Sequence, residues 1–181
     1  MSKKNILVIS TSLRRESNSE ALAAEFARGA AEAGNDVQTI TLRGKNIGFC
    51  KGCLACQKTQ RCVISDDAVA IAEQMKNADV IAFATPVYYY EMSGQMKTLL
   101  DRANPLFPSD YMFRDIYLLA AAAEDSPETM DGTVNGLEGW IACFEKARLA
   151  GVVRGTGVTD PGEMHMNGNA LEEAYRYGLK A

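Results

Sequence analysis

Four of the five cysteines fall in one stretch of thirteen residues, CKGCLACQKTQRC, as Cys50, Cys53, Cys56 and Cys62. Thiolates at this spacing can wrap one iron–sulfur cubane from a single loop, because sulfur binds iron strongly and Gly52 eases the turn. Zinc sites more often use Cys-x2-Cys pairs separated by a dozen or more residues. Three readings stay open: a 4Fe–4S cluster, a loop of reduced thiols beside another site, and zinc. The odd number of cysteines argues against a disulfide framework. So does the N-terminal MSKKNILVIS, whose apolar run is too short for a signal-peptide core. The chain is therefore expected in the cytoplasm, where thiols stay reduced.

Two further stretches could hold a ligand. Residues 10–19, STSLRRESNS, carry hydroxyls at 10, 11, 12, 17 and 19 together with Asn18, and they lead into a helical pattern. Hydroxyl donors at a helix N-terminus, where free N–H groups and the dipole attract anions, make a phosphate cradle. Arg14 or Arg15 could add a charge-assisted contact. The plainer alternative is that Ser17, Asn18 and Ser19 only cap the helix. Neither a Walker-type phosphate loop nor a G-x-G-x-x-G turn occurs, so nucleotide-hydrolase and dinucleotide readings find no support. Residues 85–94, TPVYYYEMSG, place Pro86 behind an apolar run and follow it with Tyr88, Tyr89 and Tyr90. Flat rings with polar tips suit stacking on a planar aromatic ligand, and suit a packed boundary equally well.

The elements that must position these loops alternate. A chain of 181 residues, 47% apolar and 23% charged, fits one domain with a sizeable core. Its net charge is −4 with scattered basic residues, which leaves no footprint for nucleic acid or an anionic membrane and favours a small-molecule partner. Short apolar runs such as NILVIS read as central parallel strands buried on both faces. Strands are expected at 5–10, 36–42, 79–85, 114–123 and 150–158. Helices are expected at 19–34, 65–78, 92–103, 132–150 and 169–181, the first from its stripe of Leu22, Ala23, Phe26, Ala27 and Ala30. Five strands with helical crossovers predict an α/β fold, a flavodoxin-like doubly wound parallel sheet of order 2-1-3-4-5 with helices on both faces. Ligands bind such sheets beyond the carboxyl ends of the strands where the order reverses, here between strands one and three. That point is served by loops 10–19 and 85–92.

Taken together, S-x-R-x-x-S-N-S at 12–19, P-V-Y-Y at 86–89 and K-T-L-L-D-R at 97–102 resemble the flavodoxin-like NAD(P)H-dependent FMN reductase family. With the cysteine spacing at 50–62, the chain is similar more narrowly to the iron–sulfur flavoprotein branch. The resemblance covers roughly residues 4 to 104. It implies an FMN-dependent oxidoreductase that takes electrons from NAD(P)H and passes them to a small acceptor such as a flavin, a quinone or another electrophile. An alternative implication is an electron-transfer module, in which a ferredoxin-like partner feeds FMN through a cluster held by Cys50, Cys53, Cys56 and Cys62. A third is a flavin-binding regulatory domain.

The resemblance places the FMN phosphate at Ser12, Arg14, Ser17, Asn18 and Ser19. It sets the isoalloxazine ring along Pro86, Val87, Tyr88 and Tyr89, with Ser93 close by at the start of the next helix. Where the family carries a Gly-rich contact after strand four, this chain has AAAAEDSPETM (120–130), with Ala122 and Ala123 at the corresponding place. A homodimer or homotetramer is implied, and no catalytic side chain is named because the cofactor carries the hydride chemistry. Apart from the resemblance, His165 is expected in a structural or surface role, with Met164 and Met166 as packing residues. Cys143 is expected to be a buried thiol near Trp140 and Phe144, with nothing linking it to the cysteine loop.

Overall fold

The computed structural model describes residues 3–181. Its five parallel strands are β1 (Asn5–Ser10), β2 (Asp36–Thr41), β3 (Val80–Tyr88), β5 (Asp115–Ala121) and β6 (Arg148–Gly155). They lie in the order β2-β1-β3-β5-β6, while β4 (Glu91–Met92) folds back antiparallel on the end of β3. With that short strand set aside, the order is the expected 2-1-3-4-5.

The helices are α1 (Asn18–Glu32), α2 (Ala55–Thr59), α3 (Asp67–Asn77), α4 (Gly94–Arg102), α5 (Asp131–Ile141) and α6 (Gly168–Lys180). They form two layers because the strands alternate. Ile6, Val8, Ala82 and Leu119 pack on α1 and α6, whereas Leu7, Ile9, Phe83 and Leu118 pack on α3, α4 and α5. β1 is buried on both faces and bonded on both edges, which explains its unbroken apolar run. The α1 and α6 backbones touch. A Cβ added at Gly178 would lie 2.1 Å from the Phe26 carbonyl oxygen, and one at Gly29 would lie 2.2 Å from that of Tyr175.

The helix expected at 132–150 stops at Ile141. Beyond it Phe144 packs edge-on to Phe113 at 5.2 Å between ring centres, and the Lys146 N–H donates to the Tyr111 hydroxyl at 3.0 Å. The chain must then enter β6 at Arg148 to pair with Asp115–Ala121. Tertiary packing and edge pairing thus override a helical pattern that continues in the sequence. No helix among the described residues is long and apolar enough to cross a membrane.

Candidate functional site

The loops leaving β1 and β3 are joined below the crevice by three buried hydroxyls. Thr11 donates from its side chain to the Ala84 carbonyl at 3.0 Å and faces the Ser93 hydroxyl at 3.1 Å. Thr85 donates to the Ser93 hydroxyl at 3.2 Å and accepts from the Ser93 N–H at 3.1 Å. Ser93 also caps α4 by accepting from the Met96 N–H. These bonds fix the two loops and the start of α4 to one another.

Above this floor lies a cavity of about 160 Å3. Ser12, Arg14, Ser17, Asn18 and Ser19 line one side, and Pro86, Val87 and Tyr88 line the other. Ser17 is the N-cap of α1, its hydroxyl accepting from the Glu20 N–H at 3.1 Å. The N–H groups of Asn18 and Ser19 open the helix and have no acceptor within it. Ser12 is buried and accepts from the Arg14 N–H at 3.2 Å, so its own proton is left to donate. Buried hydroxyls, unused N–H groups and the positive end of a helix dipole fit an anionic group such as a phosphate.

The amide of Asn18 has another task. It donates to the Asp160 carbonyl at 3.0 Å and accepts from the Met164 N–H at 3.0 Å, tying the loop after β6 to α1. Arg14 donates to the Thr159 carbonyl at 2.5 Å and closes the lip. The Glu163 carboxylate accepts from the N–H groups of Thr159 and Asp160, and these two bonds hold it below the usual carboxylate range.

Three expected residues stand apart from the cavity. Tyr89 is 98% exposed. Ser93 is fully buried, bonded to Thr11 and Thr85, and does not line the cavity. Ala122 faces the opposite layer with Ala120, and its N–H and C=O are spent on Gly155 and Val158. Strand alternation gives the reason: Ala121 and Ala123 line the cavity and Ala122 points away. Val158 and Thr159 also line it, although no motif in the sequence marks them. Their signal was topological, since the loop after the last strand also leaves a carboxyl end near the crevice.

Tyr88 pairs with Glu91 across a two-residue turn. Its central residues, Tyr89 and Tyr90, have φ of 50° and 66°, values that usually call for Asn or Gly. Left-handed backbone costs a side-chain-bearing residue about 1–2 kcal/mol, so the turn holds two bulky, exposed rings against their preference. A larger groove of about 560 Å3 lies at the amino ends of β1 and β2, beside Asn5, Asp36 and Asn77. It has no hydroxyl loop or helix N-terminus, and doubly wound sheets do not bind ligands at that end.

The cysteine loop hangs from a buried pin. Arg102, 1% exposed, meets Asp66 in a bidentate pair at 2.6 and 2.8 Å and donates to the carbonyls of Gly48 and Ile64 at 2.7 and 3.0 Å. Those carbonyls mark the two ends of the loop. The Arg102 guanidinium, with the Gly48 and Ala68 N–H groups, holds the Asp66 carboxyl below the usual carboxylate range.

The thiols themselves diverge. Cys56 is buried and accepts from the Asn104 side-chain amide at 3.2 Å, Cys62 lies by Arg102 and Lys76, and Cys50 lines a separate cavity. Among the described residues no group of three or more His, Cys, Asp or Glu side chains is placed to hold a metal ion. Cys143 differs from expectation: it is exposed and shares the cavity with Cys50, because α5 ends two residues before it. His165 is exposed in a short turn at Glu163–Met166, as is Met166, while Met164 is fully buried against α1 and β6.

Residues 4–147 match the family model described as NADPH-dependent FMN reductase. The chain is 39% identical over 101 residues to an iron-sulfur flavoprotein of Methanocaldococcus jannaschii, covering 56% of this chain and 52% of that one. It is 39% identical over 113 residues to an iron-sulfur flavoprotein of Archaeoglobus fulgidus, covering 60% and 55%. The match thus spans about half the length of these curated relatives. Among solved structures, an NAD(P)H:quinone oxidoreductase from Methanothermobacter marburgensis superposes with a TM-score of 0.76 over 98% of both chains at 16% identity, a likeness of fold.

Proposed function

The chain belongs to the NADPH-dependent FMN reductase family, and on that premise we propose that it binds FMN between the ends of β1 and β3. There it acts as an NAD(P)H-dependent oxidoreductase delivering electrons to a small acceptor, a flavin, a quinone or a similar electrophile. The observation that carries this reading is the convergence of residues 12–19 and 86–88, far apart in sequence, on one cavity at the carboxyl ends of adjacent strands. When bound, FMN supplies hydride acceptance and electron release, which no side chain here can perform.

The chain's own residues bind and orient. Ser12, Ser17 and Ser19 with the first N–H groups of α1 receive the phosphate, and Arg14 keeps a positive charge at the lip. A cavity of about 160 Å3 is smaller than the roughly 300–1,000 Å3 of whole ligand pockets. The hydroxyl side would hold the phosphate, and Pro86, Val87 and Tyr88 on the other wall would face the ring. The Thr11–Thr85–Ser93 floor holds that wall in place. Mixing FMN-loaded protein with NADPH or NADH without oxygen tests the reading: rapid bleaching of the visible flavin band is expected, and an unchanged spectrum with both donors refutes it.

A second reading is favoured by the 39% identity to proteins named iron-sulfur flavoproteins. In it Cys50, Cys53, Cys56 and Cys62 hold a 4Fe–4S cluster that a ferredoxin-like partner reduces. The four thiols fit by number and kind. They do not converge as folded. Stoichiometric iron and sulfide after anaerobic reconstitution, lowered by each Cys→Ser change, supports this reading, and values near zero remove it. A cytoplasmic homodimer or homotetramer accompanies either reading, and sedimentation tests the assembly.

A further inference from the structure

We propose that Cys50 and Cys143 form a reversible disulfide that ties the cysteine loop to the end of α5. The two thiols come from segments far apart in sequence, and both are free and exposed. Both line one cavity of about 470 Å3, walled by Leu54, Leu100, Phe107, Trp140 and Phe144. Neither sulfur has a strong partner. Cys143 Sγ lies 3.7 Å from the Gly139 carbonyl, and Cys50 Sγ accepts from the Gly52 N–H at 3.4 Å.

The other thiols are placed differently. Cys56 is buried on Asn104, Cys62 faces a separate cavity beside Arg102, and Cys53 does not line the cavity. A disulfide needs its Cα atoms about 4.4–6.8 Å apart, so one partner must be free to adjust. Cys50 is. Residues 49–53 make no backbone–backbone hydrogen bond, and Gly52 at φ 64° gives the segment a flexible joint. The Arg102 pin at Gly48 and the Cys56–Asn104 bond fix its two ends, which keeps Cys50 over the cavity while it moves.

The oxidant is hydrogen peroxide. One thiolate attacks a peroxide oxygen, the O–O bond breaks, and a sulfenic acid forms as hydroxide leaves. The second thiolate attacks that sulfur, the S–S bond forms, and a second hydroxide leaves. The hydroxides take up the two thiol protons as water, and two electrons have passed from sulfur to oxygen. A dithiol reductant reverses the change by exchange. The disulfide requires no bound FMN or metal, and it removes Cys50 from the four loop thiols while it lasts.

The test uses the full-length chain freed of iron by a chelator, treated with equimolar hydrogen peroxide, alkylated, digested and analysed by mass spectrometry. A Cys50–Cys143 linked peptide, two hydrogens lighter than its parts, is expected in the wild type and in Cys53→Ser. It should be absent from Cys143→Ser and disappear on dithiothreitol. The number of titratable thiols should fall by two on oxidation. A Cys50–Cys53 link in the wild type, or a Cys143 that stays fully alkylatable after peroxide, overturns the proposal.

Discussion

Replacing Asp66 by Ala should be the most damaging single change near the cysteine loop. It removes the bidentate partner of Arg102, whose side chain is fully buried, and leaves the guanidinium with the carbonyls of Gly48 and Ile64 and the Cys62 thiol but no carboxylate. Removing one partner of a buried pair costs about 3–5 kcal/mol, since the remaining charge is uncompensated. Asp66 also caps α3 by accepting from the Ala68 N–H at 3.1 Å, worth about 1 kcal/mol. The sum is about 4–6 kcal/mol, a large part of a typical domain's stability. Urea unfolding gives the value, and the double variant Asp66→Ala/Arg102→Leu should recover part of it, because both charges are then gone.

The pH dependence follows from the sign of the shift. The folded-state pKa of Asp66 is lowered, so its contribution is full above the unfolded value of about 3.9 and is lost as pH falls through the folded value. Wild type and variant should therefore differ equally at neutral and mildly acidic pH and converge only in stronger acid. A loss under about 1 kcal/mol, as for an exposed pair such as Lys97–Asp101, would refute the claim that this pair pins the loop.

Further outcomes are expected elsewhere. Asn18→Ala removes two bonds to the loop after β6 and should cost about 2 kcal/mol in urea unfolding, with faster amide exchange at 159–164. Tyr90→Gly should stabilise the fold by up to about 1 kcal/mol, seen as a higher melting temperature, because glycine accepts φ of 66° without strain. Gly178→Ala should destabilise by about 1–3 kcal/mol or more, since its methyl would meet the Phe26 backbone and force α6 off α1.

The sheet was legible because burial writes directly into sequence. β1 and β3 are apolar runs that need no context, and the crossover rule arranges them. The hydroxyl-lined side of the crevice was legible for a similar reason, since Ser17 and its neighbours signal a helix start whatever they bind. What the sequence hid depends on contacts between distant residues. Ala121 rather than Ala122 faces the cavity because of strand phase at the end of β5. Asn18 looked like a free ligand group, yet its amide is consumed by Asp160 and Met164. The cysteine spacing shows that four thiols lie close in sequence, but not that Arg102 anchors their loop or that Cys50 and Cys143 line one cavity. The early end of α5, set by Phe144 joining the Phe113 cluster, exposed a thiol that helical periodicity had placed inside.

The most direct measurement is a titration of flavin-free protein with FMN, followed by the change in flavin fluorescence. One FMN per chain should bind, and Ser12→Ala/Ser19→Ala should weaken binding by about 1–3 kcal/mol, the worth of one or two hydrogen bonds to a charged group. The Tyr89→Ala change, at a ring 98% exposed and outside the cavity, should leave affinity nearly unchanged. Failure of the wild type to bind FMN, or an affinity indifferent to the loss of both hydroxyls, would contradict the assignment of the crevice between β1 and β3.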